Sequence, residues 1–276
     1  MEELENSAGE FREKFKISAS QFSASHVFNT DQVGFNYEVS DARTLSWKGE
    51  KRTWGFGFSP KNKSTHSYTT QPIISLDGGL VPQLYVCLQE KEGKFGPLIQ
   101  QRLFKSPNLV VTCSTSGKLA TGHVAYFLEN VVKPNVKEDF SFTYDHWRAQ
   151  MKEDLYEDFG KNGLPACKSL VIPEGCTGLV QPLDRIYNRQ YKYVVRRISN
   201  EASICGLDLT DRNSVLKVQS IVQYMMSAKS LTAMIRHSWV SAGLLENEEP
   251  FQTAQEICFC FKETNCDEED LSLIHI

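Results

Sequence analysis

The chain reads as an α/β protein: a mixed β-sheet flanked by helices, with an all-helical extension at its C-terminal end. Three observations predict this. Up to about residue 113, aromatic and β-branched runs alternate with glycine-rich turns. Between about residues 108 and 200, short apolar strands alternate with helical patterns. From Asp211 to about Lys262, apolar residues such as Val215, Val218, Ile221, Val222 and Met225 keep helical spacing.

Residues 1–25 are polar and weakly patterned. They are expected to be a poorly ordered lead-in with at most a short helix around Phe11 to Ile17. "HVFNTDQVGFNYE" (26–38) and "RTLSWKGEKRTWGFGF" (43–58) read as paired strands. In "SYTTQPIISLDGGLVPQLYVCLQ" (67–89), Asp77-Gly78-Gly79 supplies a tight turn between two apolar runs. "NLVVTC" (108–113) is a strand leading to a helix that carries Leu119, His123, Tyr126, Phe127 and Val131 and stops near Pro134. "FSFTYD" (140–145) alternates aromatic with polar residues, the period of a strand that buries one face and ends at Asp145. Residues 147–159 read as helical, "SLVI" (169–172) as a short buried strand, and a long basic helix begins at Pro182. The tail 263–276 is acidic and left outside the fold, its last six residues being unlike designed structure.

Composition removes several functions. The 276 residues carry a net charge of −4, which rules out a globally basic mode of nucleic-acid binding but leaves room for a local basic face. The eight cysteines form no CxxC pair and follow no secretory leader, which suits reduced thiols in a cytoplasmic or nuclear compartment. Nothing approaches the roughly 18 apolar residues that a membrane span requires. "SGK" at 116–118 fails as a phosphate loop, because Thr112 and Leu119 stand where glycine and Ser/Thr are required.

Asp31, Asp145 and Asp184 each lie beside a strand end or a helix start, where side chains from separate elements can converge. Three such carboxylates would form an all-oxygen site suited to Mg²⁺ or Mn²⁺ and to phosphodiester chemistry. Each also has a structural reading. Asp184 suits the first turn of a helix, Asp31 a turn at a strand end, and Asp145 a cap ahead of Trp147.

With their flanks, "FNTDQVGFNYE", "YDHWRAQ", "GLVQPLD" and "RHSWVSAGL" resemble the DDE superfamily endonuclease domain of mariner/pogo-class DNA transposases, over most of residues 26–245. The resemblance implies a ribonuclease H-like fold over 26–200, with 201–262 as its helical extension. It implies Asp31, Asp145 and Asp184 as a catalytic triad holding two Mg²⁺ or Mn²⁺ ions, DNA as the partner, and a nuclear location. A homodimer stays open. The family commonly has Asp-Ser-Trp where this chain has Asp145-His146-Trp147, so His146 is expected to be exposed or to lie behind the site. The family's tandem helix-turn-helix modules have no counterpart in the roughly 25 residues before the first strand. Either the sequence is truncated or the copy has lost site-specific recognition.

On the helix from Pro182, Arg185, Arg189, Lys192 and Arg196 share one stripe, while Tyr187, Tyr191, Val194 and Ile198 share another. The apolar stripe is expected to bind the sheet and the basic one to follow a DNA backbone, with Asp184 near their border. Lys51 and Arg52 are further candidates for phosphate contact, beside Lys48, Lys61 and Lys63. The expected activity is metal-dependent DNA cleavage and strand transfer. The alternative is a domesticated or decayed domain that binds nucleic acid without cutting it.

Overall fold

A computed structural model describes residues 2–37, 67–209, 211–246 and 250–259. The expected strand at 43–58, the basic residues Lys48, Lys51, Arg52, Lys61 and Lys63, and the tail 263–276 lie outside the described residues.

The sheet is built from β1 (Val27–Thr30), β2 (Val33–Asn36), β3 (Ser67–Gln71), β4 (Ile73–Ser75), β5 (Leu84–Gln89), β6 (Leu109–Ser114), β7 (Phe140–Tyr144) and β8 (Cys167–Val171). Among the described residues, two four-stranded ladders run in the orders β4-β1-β7-β8 and β2-β3-β5-β6. β1–β4, β2–β3 and β3–β5 are antiparallel; β5–β6, β1–β7 and β7–β8 are parallel.

The two ladders share one register. Continuing the β1–β4 pairing past Thr30↔Ile73 sets Asp31 opposite Pro72 and Gln32 opposite Gln71, then meets Val33↔Thr70, a pair of β2–β3. The cause of the break is chemical. Leu76 N donates to Val27 O, so by alternation Asp31 and Pro72 fall at a hydrogen-bonded position. Proline has no N–H to donate there. The strand therefore opens at Asp31, and Thr30 Oγ1 donates to Pro72 O at 2.8 Å instead.

Neighbouring residues send their side chains into different cores. Val27, Ile74 and Val86 join one cluster, and Phe28, Ile73 and Tyr85 join the other. Both faces of the sheet are thus covered, as a period of two requires. The second cluster is closed by α3 (Thr121–Phe127), which runs through a π-helical segment, Leu128–Val132, into a last turn, α4 (Lys133–Asn135), whereas α2 (Pro97–Arg102) buries none of its residues. The first is closed by α1 (Glu2–Ala19), α5 (Thr177–Val180), α6 (Asn188–Ile204), α7 (Arg212–Met226), α8 (Thr232–Ser241) and α9 (Ala254–Phe259).

Four expectations need correction. β7 is buried along its whole length, Ser141 and Thr143 included, although its alternation predicts one buried face, because both faces of the sheet are covered. The strand expected to be buried at 169–172 runs Cys167–Val171 at the end of its ladder, and none of its five residues is buried. The first 25 residues are more than a lead-in: α1 spans Glu2–Ala19 and buries Ala8, Phe11 and Phe15 in the first core. Its polar composition hides an i, i+3, i+7 stripe, and its partner comes from far along the chain, with Arg12 Nε donating to Ala242 O at 3.1 Å. Residues 147–159 hold one 3₁₀ turn, Glu153–Tyr156, instead of a helix. There Tyr156 stacks on Tyr144 at 5.5 Å and Phe159 meets Phe140 edge-on at 5.5 Å, so aromatic packing on β7 sets the path.

The turn at Asp77-Gly78-Gly79 forms as expected, between β4 and β5. Gly78 has φ +91, and a Cβ there would stand 2.4 Å from Thr232 O at the start of α8. Only glycine fits both the angle and the contact. Gly78→Ala is expected to lower the melting temperature by several degrees, read by circular dichroism, whereas Gly122→Ala, with nothing within 4 Å of the added carbon, is expected to leave it nearly unchanged.

Candidate active site

The three aspartates come from three elements. Asp31 sits in the break after β1, and Asp145 follows the last residue of β7. The parallel β1–β7 register pairs Asn29 with Thr143, and two further steps set Asp31 beside Asp145. The two therefore occupy neighbouring positions just past the carboxyl ends of adjacent strands, which in a sheet lie about 4.8 Å apart. By alternation their side chains share the face of Asn29, Thr143 and Val27, which α6 covers.

Asp184 arrives from that helix. It lies in a π-helical turn, Leu183–Tyr187, which leads without interruption into α6. Such turns insert one extra residue and change the direction of the side chains that follow. Asn188, one turn on, spans the gap: its Nδ2 donates to Asp31 Oδ2 at 2.8 Å and to Asp184 Oδ1 at 2.9 Å. Asn188 is buried, and its Oδ1 has no hydrogen-bond partner among the described residues.

Asp145 is held separately. Its Oδ1 accepts from the His146 backbone N–H at 2.8 Å and from Thr177 Oγ1, at the start of α5, at 2.8 Å. The side chain of His146 is exposed. Among the described residues, no three His, Cys, Asp or Glu side chains stand close enough to form a ready-made metal cage. What the fold does supply is two carboxylates joined by one amide, with a third in the adjacent register position.

Their electrostatics are unfavourable as they stand. Burial, then the Asp184 carboxylate and, more weakly, Asp145 push the Asp31 carboxyl up to about 7, against hydrogen bonds from the Gln32 backbone and Asn188 that lower it. The native chain thus keeps a proton that the unfolded chain loses near the ordinary value of 3.8. This contribution to stability is full below about pH 4 and is lost as pH rises to about 7. In chelator, the melting temperature of wild type is expected to fall relative to Asp31→Asn across that window, as read by thermal melts at several pH values. Curves that stay parallel would show that Asp31 is not strained.

The basic stripe is exposed as expected at Arg185, Arg189, Lys192 and Arg196, while Tyr187, Tyr191 and Val194 are fully buried and Ile198 is half-buried. Arg185 is engaged elsewhere. Its Nε donates to Ser241 O and its Nη1 to Gly178 O, both at 2.9 Å, so it ties α8 and α5 to the turn that carries Asp184. Sequence reasoning passed over Asn188 and Thr177. Asn188 could have been found from its position four residues after Asp184 on one helical face.

No family model matches the chain, and no curated protein matches it. Solved structures do. The Mos1 transposase paired-end complex with left transposon end and the Mos1 Strand Transfer Complex are each 11% identical with a TM-score of 0.53. The mariner Mos1 paired end complex with Mg is 10% identical with a TM-score of 0.50. In each case the match covers 91% of this chain, which spans 64% of the transposase chain. At such identity the likeness is one of fold: the chain has a ribonuclease H-like α/β fold, a mixed sheet flanked by helices, like that of the matched part of the Mos1 transposase chain.

Proposed function

We propose that the chain is a transposase-type DNA endonuclease and strand transferase, with Asp31, Asp145 and Asp184 as the ligands of two Mg²⁺ or Mn²⁺ ions. The observation that carries this reading is the meeting of Asp31 and Asp184 through Asn188 beside Asp145, at the carboxyl ends of two parallel strands. The residues fit a hard cation. Carboxylate oxygens are the donors such ions prefer, and the buried Asn188 Oδ1 is a further oxygen without a partner. An unpartnered buried acceptor costs about 1–3 kcal/mol, which a ligand can relieve. The like charges that raise Asp31 point the same way, since positive charge between them removes the repulsion.

Bound divalent ions supply a Lewis acid that activates a water or a 3′-hydroxyl and stabilises the leaving oxygen. The chain's part is positioning. β1 and β7 fix two carboxylates side by side, Asn188 holds the third against the first, and Thr177 with the His146 amide sets the direction of Asp145. The fold shared with DNA-bound Mos1 complexes supports DNA as the substrate and a nuclear place of action. The exposure of Arg189, Lys192 and Arg196 on the helix that follows Asp184 supports a role for them in phosphate contact.

Two measurements test this reading. Supercoiled plasmid should be nicked in Mg²⁺ or Mn²⁺ and remain intact in chelator; a folded chain that never nicks in Mn²⁺ but still binds DNA would leave the binding-only alternative. Replacing Arg189, Lys192 and Arg196 together with glutamine is expected to weaken DNA binding and reduce the slope of log affinity against log salt by about 1 per lost contact. An unchanged slope would show that the stripe is merely solvated.

A further inference from the structure

Behind the aspartates lies a second polar group, buried, which the chemistry above does not use. Asn29 on β1 and Gln181 at the end of α5 are both fully buried. Asn29 Nδ2 donates to Gln181 Oε1 at 3.1 Å and to Thr143 O at 3.0 Å, and Asn29 Oδ1 accepts from Leu183 N at 3.3 Å. Gln181 Nε2 donates to Thr30 O at 3.2 Å. Each backbone group reached in this way stands within two residues of an aspartate. Thr30 precedes Asp31, Leu183 precedes Asp184, and Thr143 lies two residues before Asp145 on the same face of its strand.

These backbone groups need help for separate reasons. Thr30 is the last residue of β1, just before the ladder opens opposite Pro72. Leu183 N belongs to the first turn of its helix, where no earlier carbonyl is available within the helix. A loose joint at any of the three would move one carboxylate against the other two. Apolar residues of similar size would fill the space but leave Thr30 O, Leu183 N and Thr143 O without these partners, at about 1–3 kcal/mol for each group left unsatisfied. A fully satisfied polar network does what apolar filling cannot: it fixes one arrangement of the elements it joins.

We infer that Asn29 and Gln181 form a buried amide clamp that holds the three aspartates at the spacing a divalent cation requires. Both are positioning residues and neither touches the ion. The inference rests on the proposed function and adds to it the device that sets the geometry of the site.

The test compares wild type with Gln181→Met and Asn29→Leu, near-isosteric changes that keep volume and remove the hydrogen bonds. Mn²⁺ affinity is measured by the loss of the free-ion electron paramagnetic resonance signal, alongside plasmid nicking across Mn²⁺ concentrations. Each variant is expected to bind Mn²⁺ about 10-fold to 100-fold more weakly, the range found when groups supporting metal ligands are removed. Nicking should recover in part as Mn²⁺ is raised. A lower melting temperature with unchanged Mn²⁺ affinity would make the pair a structural filler and overturn the clamp. Wild type that binds no Mn²⁺ would overturn the functional reading and the clamp's purpose together, so the two failures are distinguishable. If neither variant folds, hydrogen exchange on wild type decides. The Leu183 amide should exchange only with global unfolding, and rapid exchange there would contradict the clamp.

Discussion

Asp31→Asn is expected to slow metal-supported nicking by about 100-fold to 1,000-fold and, at the same time, to stabilise the metal-free protein near neutral pH. The two effects have one origin. Asp31 is half-buried, shares Asn188 with Asp184 and faces Asp145 across the β1–β7 register, so its charge is unwelcome until a cation joins it. Asparagine keeps the shape and can still accept from Asn188, but it brings no charge. Loss of one group that stabilises developing charge typically costs about 10²-fold to 10³-fold in rate, and Asp145→Asn and Asp184→Asn should match it. A plasmid-nicking time course with a thermal melt in chelator checks both parts. Retained cleavage would remove Asp31 from the chemistry, and reduced metal-free stability would show that the carboxylate is structural.

Trp239→Ala is expected to have the largest effect on stability. Trp239 on α8 is fully buried, packs on Phe15 of α1 with ring centroids 5.6 Å apart, and donates from Nε1 to Ser75 O at 3.0 Å. It therefore joins α1, the end of β4 and α8. Truncation leaves a large cavity and an unpaired carbonyl, at about 3–5 kcal/mol for the cavity alone. Against a total stability of about 5–15 kcal/mol, that change can unfold the chain. Urea denaturation followed by tryptophan-independent circular dichroism measures it. A loss under about 1 kcal/mol would mean that α1 and α8 do not share a core.

Much of this architecture was legible in the sequence because its signals are local. The alternation in "FSFTY" identified β7 and put Asp145 at its end, and the basic and tyrosine stripes after Pro182 separated the exposed from the buried face of α6. What could not be read depends on distant partners. Asn29 looks like any polar residue in a strand until Leu183, 154 positions away, is brought against it. Gln181 was equally silent, since it acts on groups more than 150 residues away, and Asn188 shows in the sequence only its nearness to Asp184, four residues before it, not its reach to Asp31. The helix α1 was missed because its polar composition masks three apolar positions whose core is assembled from the other end of the chain. The segment after Asp145 misled in the opposite sense: its residues suit a helix, but stacking on Tyr144 and Phe140 outweighs that preference.

The central claim is that carboxylates from β1, β7 and the turn before α6 act on the same cations. Titrating Mn²⁺ into wild type and into Asp31→Asn, Asp145→Asn and Asp184→Asn, with the free ion followed by electron paramagnetic resonance, tests it most directly. Wild type should take up Mn²⁺, and each substitution should weaken that uptake at least tenfold while the chain stays folded. Uptake that is unchanged in any one of the three would contradict the account, because that aspartate would then stand outside the site.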